Sequence, residues 1–249
     1  MASRAYPRVI SFPLRPEAGR LHAGEHVARR AFDAACALAG LVLLAPVLAA
    51  IALAIKLDDG GPIFYSQWRV GKGLRKFRLF KFRSMRADSA GSLLTSPQDA
   101  RISRVGGFLR RYKLDELPQL LNVLKGEMQL VGVRPQVEMF VDCFREEYEE
   151  LLQSRPGITD VSSLIFRDEA RFFYKGSIEQ QYVARILPIK LEVSLKYART
   201  RTFLSDLGIL LRTVVGLPCP PTAWEGTRFD PAVLSRCGFI SVTPWKSKE

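Results

Sequence analysis

The sequence predicts an α+β fold that is mainly helical. Three observations predict it: a charge-free apolar run over 34–55 with a proline inside it, several segments with helical spacing of apolar residues, and two β-rich runs around a Gly-Lys-Gly turn. The 249 residues suffice for one substantial domain with attachments. At 47% hydrophobic and 25% charged residues, the chain is not intrinsically disordered. Lys+Arg number 37 against 25 Asp+Glu, a formal charge of +12. Such a surface seeks an anionic partner: nucleic acid, acidic lipid or a phosphorylated substrate. Cys36, Cys143, Cys219 and Cys237 are scattered without a CxxC pair, which argues against a disulfide framework or a zinc ribbon. His22 and His26 are spaced as two ligands on a helix turn would be, but no further Cys or His is near them in sequence.

Residues 1–28 read as a polar N-terminal extension with Arg4, Arg8, Arg15 and Arg20 and three prolines. A signal peptide would carry its apolar core earlier in the chain. A straight helix over 34–55 would be about 33 Å long, enough to cross a bilayer core of about 30 Å. One ordinary span is the simplest reading of its hydropathy. Pro46 removes the hydrogen bond to the Val42 carbonyl, so a kink is expected there. Arg29 and Arg30 precede the run, while Lys56, Arg69, Lys72 and further basic residues follow it. Positive charge on both sides favours keeping both ends cytoplasmic. A helix that enters, bends at Pro46 and leaves on the same face satisfies both observations; a kinked span also accommodates the proline.

Asp58 to Pro62 forms a turn-rich exit. The runs 63–70 and 77–85 around Gly71-Lys72-Gly73 predict a hairpin, whose Arg and Lys side chains either hold phosphates or solvate one face. Residues 87–98 are polar and read as a mobile loop. Residues 101–112 are basic with apolar residues between. The most informative segment is 114–124. Leu114, Leu117, Leu120, Leu121 and Leu124 fall on one arc of about 120°, and Asp115, Gln119 and Asn122 cluster opposite. Pro118 belongs in a first turn, which puts Asp115 at or near the N-cap and Glu116 just inside. Capping alone would explain both acids. A further helix is predicted over 136–153, ended by Arg155-Pro156-Gly157, and another over 177–197 with Pro188 as a break point. Residues 203–217 are amphipathic and suit either a membrane interface or a core. Residues 218–249, with Pro218, Pro220 and Pro221, read as an irregular C-terminal extension.

Five ordered motifs stand out: GGPIFYSQWRVG (60–71), KFRSM (81–85), RISRVGGFLRR (101–111), LDELPQLLNVLKGEMQLVGVRP (114–135) and RPGIT (155–159). Over roughly 29–217 the chain resembles the bacterial sugar transferase family, the small monotopic phosphoglycosyl transferases. The resemblance implies a re-entrant membrane helix-break-helix over 29–57, with Pro46 at the break. It also implies a transferase domain over 58–217, with interfacial amphipathic helices and a small cytoplasmic part bearing the β-hairpin. It implies transfer of a sugar 1-phosphate from a UDP-sugar to undecaprenyl phosphate, with release of UMP and with Mg²⁺ as cofactor. The location implied is the cytoplasmic face of the bacterial inner membrane, at the first membrane step of a surface glycan such as an exopolysaccharide. Asp115 matches the family's nucleophile, which forms an acyl-phosphate, and stands in the metal site; Glu116 matches its acid/base or positioning partner. Arg110 and Arg134 match phosphate-binding arginines, Arg167 lies ten residues beyond Gly157 where the family also carries an arginine, and Lys81 matches the lysine of KFRSM. The partners implied are the UDP-sugar, undecaprenyl phosphate and the bilayer, not nucleic acid, with a homo-oligomer left open.

The chemistry asks for these residue types. A carboxylate can serve as a covalent nucleophile, and arginine forks match phosphate oxygens that would otherwise repel it. Three positions depart from the family pattern: Ala45 replaces a serine before the membrane proline, Val133 stands inside the usual GPRP turn, and Asp160-Val161-Ser162-Ser163 replaces a common G-W-x-Q. The last region is where donor choice is expected to differ. A competing reading, a membrane-anchored basic scaffold that binds acidic lipid or nucleic acid, accounts for the charge but not for Asp115-Glu116 among so many arginines.

Overall fold

The structure, a computed structural model, describes residues 23–86, 99–167 and 178–217. The mobile loop expected at 87–98, most of the N-terminal extension, the C-terminal extension, His22, Cys219 and Cys237 lie outside the described residues, as does the side chain of His26.

Helix α1 (Ala23–Leu43) and helix α2 (Ala45–Asp59) meet at Leu44. The pair bends by 61°. The bend has the expected cause. Pro46 sits in the first turn of α2 and has no N–H to offer, so the helical ladder lapses there. It resumes when the Leu48 N–H donates to the Leu44 carbonyl at 2.8 Å. Gly60 then ends α2 in the left-handed region, φ 72°, donating to the Lys56 carbonyl. Among the described residues no single helix is long and apolar enough to cross a membrane; the bent pair taken together has the length and apolar composition of a broken span or a re-entrant loop.

Strands β1 (Phe64–Val70) and β2 (Lys76–Phe82) form the predicted antiparallel hairpin, with Phe64 opposite Phe82 and Val70 opposite Lys76. Helix α3 (Arg104–Arg111) follows, its N-cap Ser103 accepting the Gly106 N–H. Lys113 then takes a left-handed conformation, φ 58°, and a 3₁₀ turn at Leu114–Glu116 leads into helix α4 (Gln119–Lys125). The helix expected over 114–124 is therefore two pieces, divided where Pro118 fixes the backbone.

Strand β3 (Gln129–Val131) pairs in parallel with strand β4 (Gly157–Thr159), a pairing that hydrophobic periodicity does not reveal. It brings the VRP turn against the RPGIT segment. A Cβ on Gly157 would lie 2.0 Å from the Gly132 nitrogen, so only glycine lets the two backbones approach this closely. Between these strands lie helices α5 (Glu138–Cys143) and α6 (Arg145–Leu151). The single helix expected over 136–153 is broken at Phe144, whose φ and ψ of −132° and 46° are not helical. Helix α7 (Val161–Ile165) starts on Asp160, whose side chain accepts the Ser163 N–H. The helix expected over 177–197 is resolved into α8 (Ile178–Gln181), a π-helical turn at Tyr182–Ile186, and α9 (Leu187–Thr200) with Pro188 in its first turn. Helix α10 (Phe203–Val215) buries part of its apolar face and leaves part exposed: Ile209 is buried in a core while Leu204, Leu211, Val214 and Val215 are exposed.

Three apolar clusters hold these parts. One joins Ile51 and Ile55 of α2 to Phe82 and Leu109. A second joins Ala37 of α1 to Phe77, Leu79, Val123, Leu130 and Ile209. The third, around Phe140, Tyr148 and Leu187, forms the body away from the helix pair. Strand β2 contributes to the first two, so the site beside it is built on packed scaffold rather than on loops.

Candidate active site

The acidic pair lies where β2, the 3₁₀ turn and the VRP turn converge. Lys81 projects from β2 and its Nζ donates to Glu116 Oε1 at 2.8 Å. Arg134 reaches the same carboxylate with both terminal nitrogens, Nη1 donating to Oε2 at 3.1 Å and Nη2 to Oε1. Burial alone would raise the Glu116 carboxyl, but the Arg134 and Lys81 charges outweigh it and hold the group well below the ordinary carboxylate range. Burial pushes Lys81 down despite the Glu116 charge beside it.

Asp115 is in the opposite condition. It is only 7% exposed and its Oδ1 has no hydrogen-bond partner. Burial raises its carboxyl above the usual value, the Lys81 charge opposes that shift, and the neighbouring Glu116 charge adds to it. Two adjacent carboxylates are thus driven apart, one fixed as an anion and one destabilised as an anion. Neither the 3₁₀ turn nor α4 has a side-chain cap bond at its start, so the capping account of these acids does not describe the structure.

The other expected residues are placed less uniformly. Arg110, at the end of α3, acts on Asp115 through space, after Lys81 and Lys113 in size. Arg167 goes elsewhere, donating to the Gly216 carbonyl at the C-cap of α10. Asp160 is buried and accepts from Ser162, the Ser163 N–H and Ser194, so it organises α7 and α9 from inside. Among the described residues no three His, Cys, Asp or Glu side chains converge as a metal site. Both Glu116 oxygens are engaged, whereas Asp115 Oδ1 is buried without a hydrogen-bond partner, so Asp115 is the carboxylate with capacity left for a cation.

Two site residues escaped the sequence reading. Arg69 on β1 donates to Gln67 at 2.8 Å and to Gln136 at 3.4 Å. Burial and the Arg134 charge bring its guanidinium down to about 10, with Tyr182, Tyr65 and Glu116 acting against them. In sequence it is one arginine among many in a basic hairpin, and only its inward register marks it. Asn122 on α4 is fully buried and bonds to β2, accepting the Phe80 N–H at 3.1 Å and donating to the Arg78 carbonyl at 2.7 Å. Its place opposite the leucine stripe was the available signal.

Comparison with known proteins places the chain in a family. The sequence pattern described as "Bacterial sugar transferase" matches residues 24–218. The chain is 34% identical to the UDP-glucose:undecaprenyl-phosphate glucose-1-phosphate transferase of Caulobacter vibrioides, covering 85% of this chain and 77% of that one. It is 36% identical to the exopolysaccharide production protein PSS of Rhizobium leguminosarum bv. phaseoli, over 76% of this chain and 94% of that one. It is also 36% identical to the UDP-N-acetylgalactosamine-undecaprenyl-phosphate N-acetylgalactosaminephosphotransferase of Aeromonas hydrophila, over 72% of this chain but only 44% of that longer protein. With the matched region running from the second residue of α1 through the end of α10, the chain belongs to the bacterial sugar transferase family.

Proposed function

We propose that the protein is a membrane-associated phosphoglycosyl transferase that moves a sugar 1-phosphate from a UDP-sugar to undecaprenyl phosphate, releasing UMP. The observation that carries this is the split acidic pair: a buried Asp115 with an unengaged oxygen beside a Glu116 neutralised by Lys81 and Arg134. In the first step an Asp115 oxygen forms a bond to the β-phosphorus of the donor. The bond from that phosphorus to the UMP oxygen breaks, and UMP leaves with the electron pair. In the second step an oxygen of the lipid phosphate attacks the same phosphorus. The acyl-phosphate P–O bond breaks, the diphosphate-linked lipid departs and the Asp115 carboxylate returns.

Glu116 positions Lys81 and Arg134 so that their positive charge faces incoming phosphates. Arg69 and Arg110 add positive charge near the pair. A Mg²⁺ ion fits this donor set, since that ion takes one or two carboxylates and completes its shell with phosphates and water. Asp115 would hold it, and when bound it would neutralise diphosphate charge. Exposed Leu38, Val42, Leu43 and Val47 on α1 and α2, and Leu204, Leu211 and Val214 on α10, supply an apolar surface suited to the bilayer. We read α1 and α2 as re-entrant at the cytoplasmic membrane face, which keeps the site level with an acceptor that cannot leave the lipid. Relatives are named for UDP-glucose and for N-acetylgalactosamine donors. A surface glycan pathway is the fitting context. The test is UMP release by detergent-purified protein with Mg²⁺, undecaprenyl phosphate and a panel of UDP-sugars, wild type beside Asp115→Asn. Release from one donor, lost in the variant, is the expected result; release that persists in Asp115→Asn overturns the mechanism.

A further inference from the structure

The helical face that carries Asp115 also carries Gln119 and Asn122. The structure treats the two amides differently. Asn122 is saturated: besides its bonds to Phe80 and Arg78 on β2, it donates to Glu127 at 2.7 Å. Gln119 is only 1% exposed, yet its Nε2 has no hydrogen-bond partner. An unpaired amide donor in a protein interior is unfavourable and rare. Packing alone would put leucine or methionine at such a position, as it does on the opposite face of the same helix. Two buried polar atoms four residues apart thus lack a hydrogen-bond partner, Gln119 Nε2 and Asp115 Oδ1. Asp115 lies in the 3₁₀ turn and Gln119 opens α4, and the backbone at Leu117 and Pro118 between them is right-handed helical, so the two residues stand about one turn apart. Cβ atoms at that spacing are about 5–6 Å apart, within reach of a glutamine–aspartate hydrogen bond.

We propose that Gln119 is a positioning residue for Asp115. Its amide N–H takes Oδ1 of Asp115 when donor is bound, which leaves Oδ2 to attack the β-phosphorus. A carboxylate free to rotate presents either oxygen; a carboxylate held through one oxygen presents the other in line. Lys81 and Arg134 bond to Glu116 in this structure, whereas the Gln119 amide has no partner. An oxygen of a carboxylate has two lone-pair sites, so Oδ1 can take the amide and a cation together. This inference rests on the covalent mechanism proposed above.

The experiment measures the burst of UMP released without lipid acceptor, using Mg²⁺ and the UDP-sugar that the wild type consumes. Wild type, Gln119→Met, Gln119→Leu and Asp115→Asn are compared, and thermal unfolding is followed on the same samples. Loss of one preorganised donor predicts a burst rate constant about tenfold to hundredfold lower in both Gln119 variants. Donor KM stays within about twofold, and the unfolding midpoint is unchanged or higher because an unpaired amide has left the interior. A burst rate within about threefold of wild type overturns the proposal, as does a loss that follows the folded fraction. Unfolding of both variants overturns it too, since it would mark Gln119 as structural. A burst that survives in Asp115→Asn instead removes the covalent mechanism itself; a burst lost there but intact in the Gln119 variants removes only the role of Gln119.

Discussion

Arg134 holds Glu116 by a two-pronged contact, with each terminal nitrogen on a carboxylate oxygen. Because Lys81 joins the same carboxylate, removing the anion leaves two cations facing each other. Glu116→Gln is expected to lower stability at neutral pH by about 1–3 kcal/mol, the scale for breaking a partly buried charge-assisted pair. The sign with pH follows from the depressed Glu116 carboxyl. Its contribution is complete above the unfolded carboxylate value and is lost only as pH falls through the lower folded one. The gap between wild type and variant should therefore close in acid, which thermal unfolding at neutral and acidic pH will show. Arg134→Lys keeps the charge but loses the fork, so donor use should fall while stability changes less.

Asp115 should behave in the opposite sense. Burial raises its carboxyl, so it opposes folding in full above the raised folded value, and that cost shrinks as pH falls through the interval down to the ordinary unfolded value, below which it is gone. Asp115→Asn is expected to abolish turnover and to raise the unfolding midpoint at neutral pH by a few °C, about the shift that 1 kcal/mol gives a domain of this size. Towards acid the advantage should vanish as the wild-type carboxyl takes up its proton. A midpoint lower than wild type at neutral pH would mean that the attraction to Lys81 outweighs burial.

The sequence made the local features legible and hid the long-range ones. Pro46 inside an apolar run announces the bend because a missing N–H acts within one helix turn. The hairpin around Gly71-Lys72-Gly73 is also local, and so is the Asp115-Glu116 pair. The β3–β4 pairing is not, since three residues on each side meet across a long separation and their register depends on Gly132 and Gly157 touching. The break at Phe144 is hidden for a related reason, because the apolar spacing from Val137 to Phe144 reads as continuous helix until packing in the core decides otherwise. Arg69 and Arg167 have the same side chain and opposite fates, one facing Gln136 within the site and one closing the end of α10. Only register and tertiary packing separate them.

Asn122 ties the helix after the acidic pair to the backbone of β2. Asn122→Ala is expected to cost about 2–4 kcal/mol, combining a cavity with unpaired backbone groups on β2. Asn122→Asp should be at least as damaging, because it sets a second carboxylate against Glu127 and removes the donor to the Arg78 carbonyl. Chemical denaturation measures the loss. Turnover per folded molecule should fall with it, since Lys81 on β2 and Glu116 before α4 keep their contact only while the two elements stay docked.

Pro46 sets the angle between α1 and α2, and both flanks of the pair are basic. Replacing it by alanine restores an N–H able to reach the Val42 carbonyl and allows one straight helix about 33 Å long over 34–55. The charges oppose a span in either direction, because Arg29 and Arg30 on one side and Lys56 on the other all favour the cytoplasm. In wild type, cysteines introduced beside Arg30 and Lys56 should both label from the cytoplasmic side. Pro46→Ala should move a measurable fraction of molecules to opposite-side labelling and reduce turnover in proportion. The Asp115 site would then be pulled out of level with the lipid phosphate in those molecules while the fold of β2 and α4 persists. Opposite-side labelling in the wild type itself would make the pair a kinked span and detach the bend from the positioning of the site.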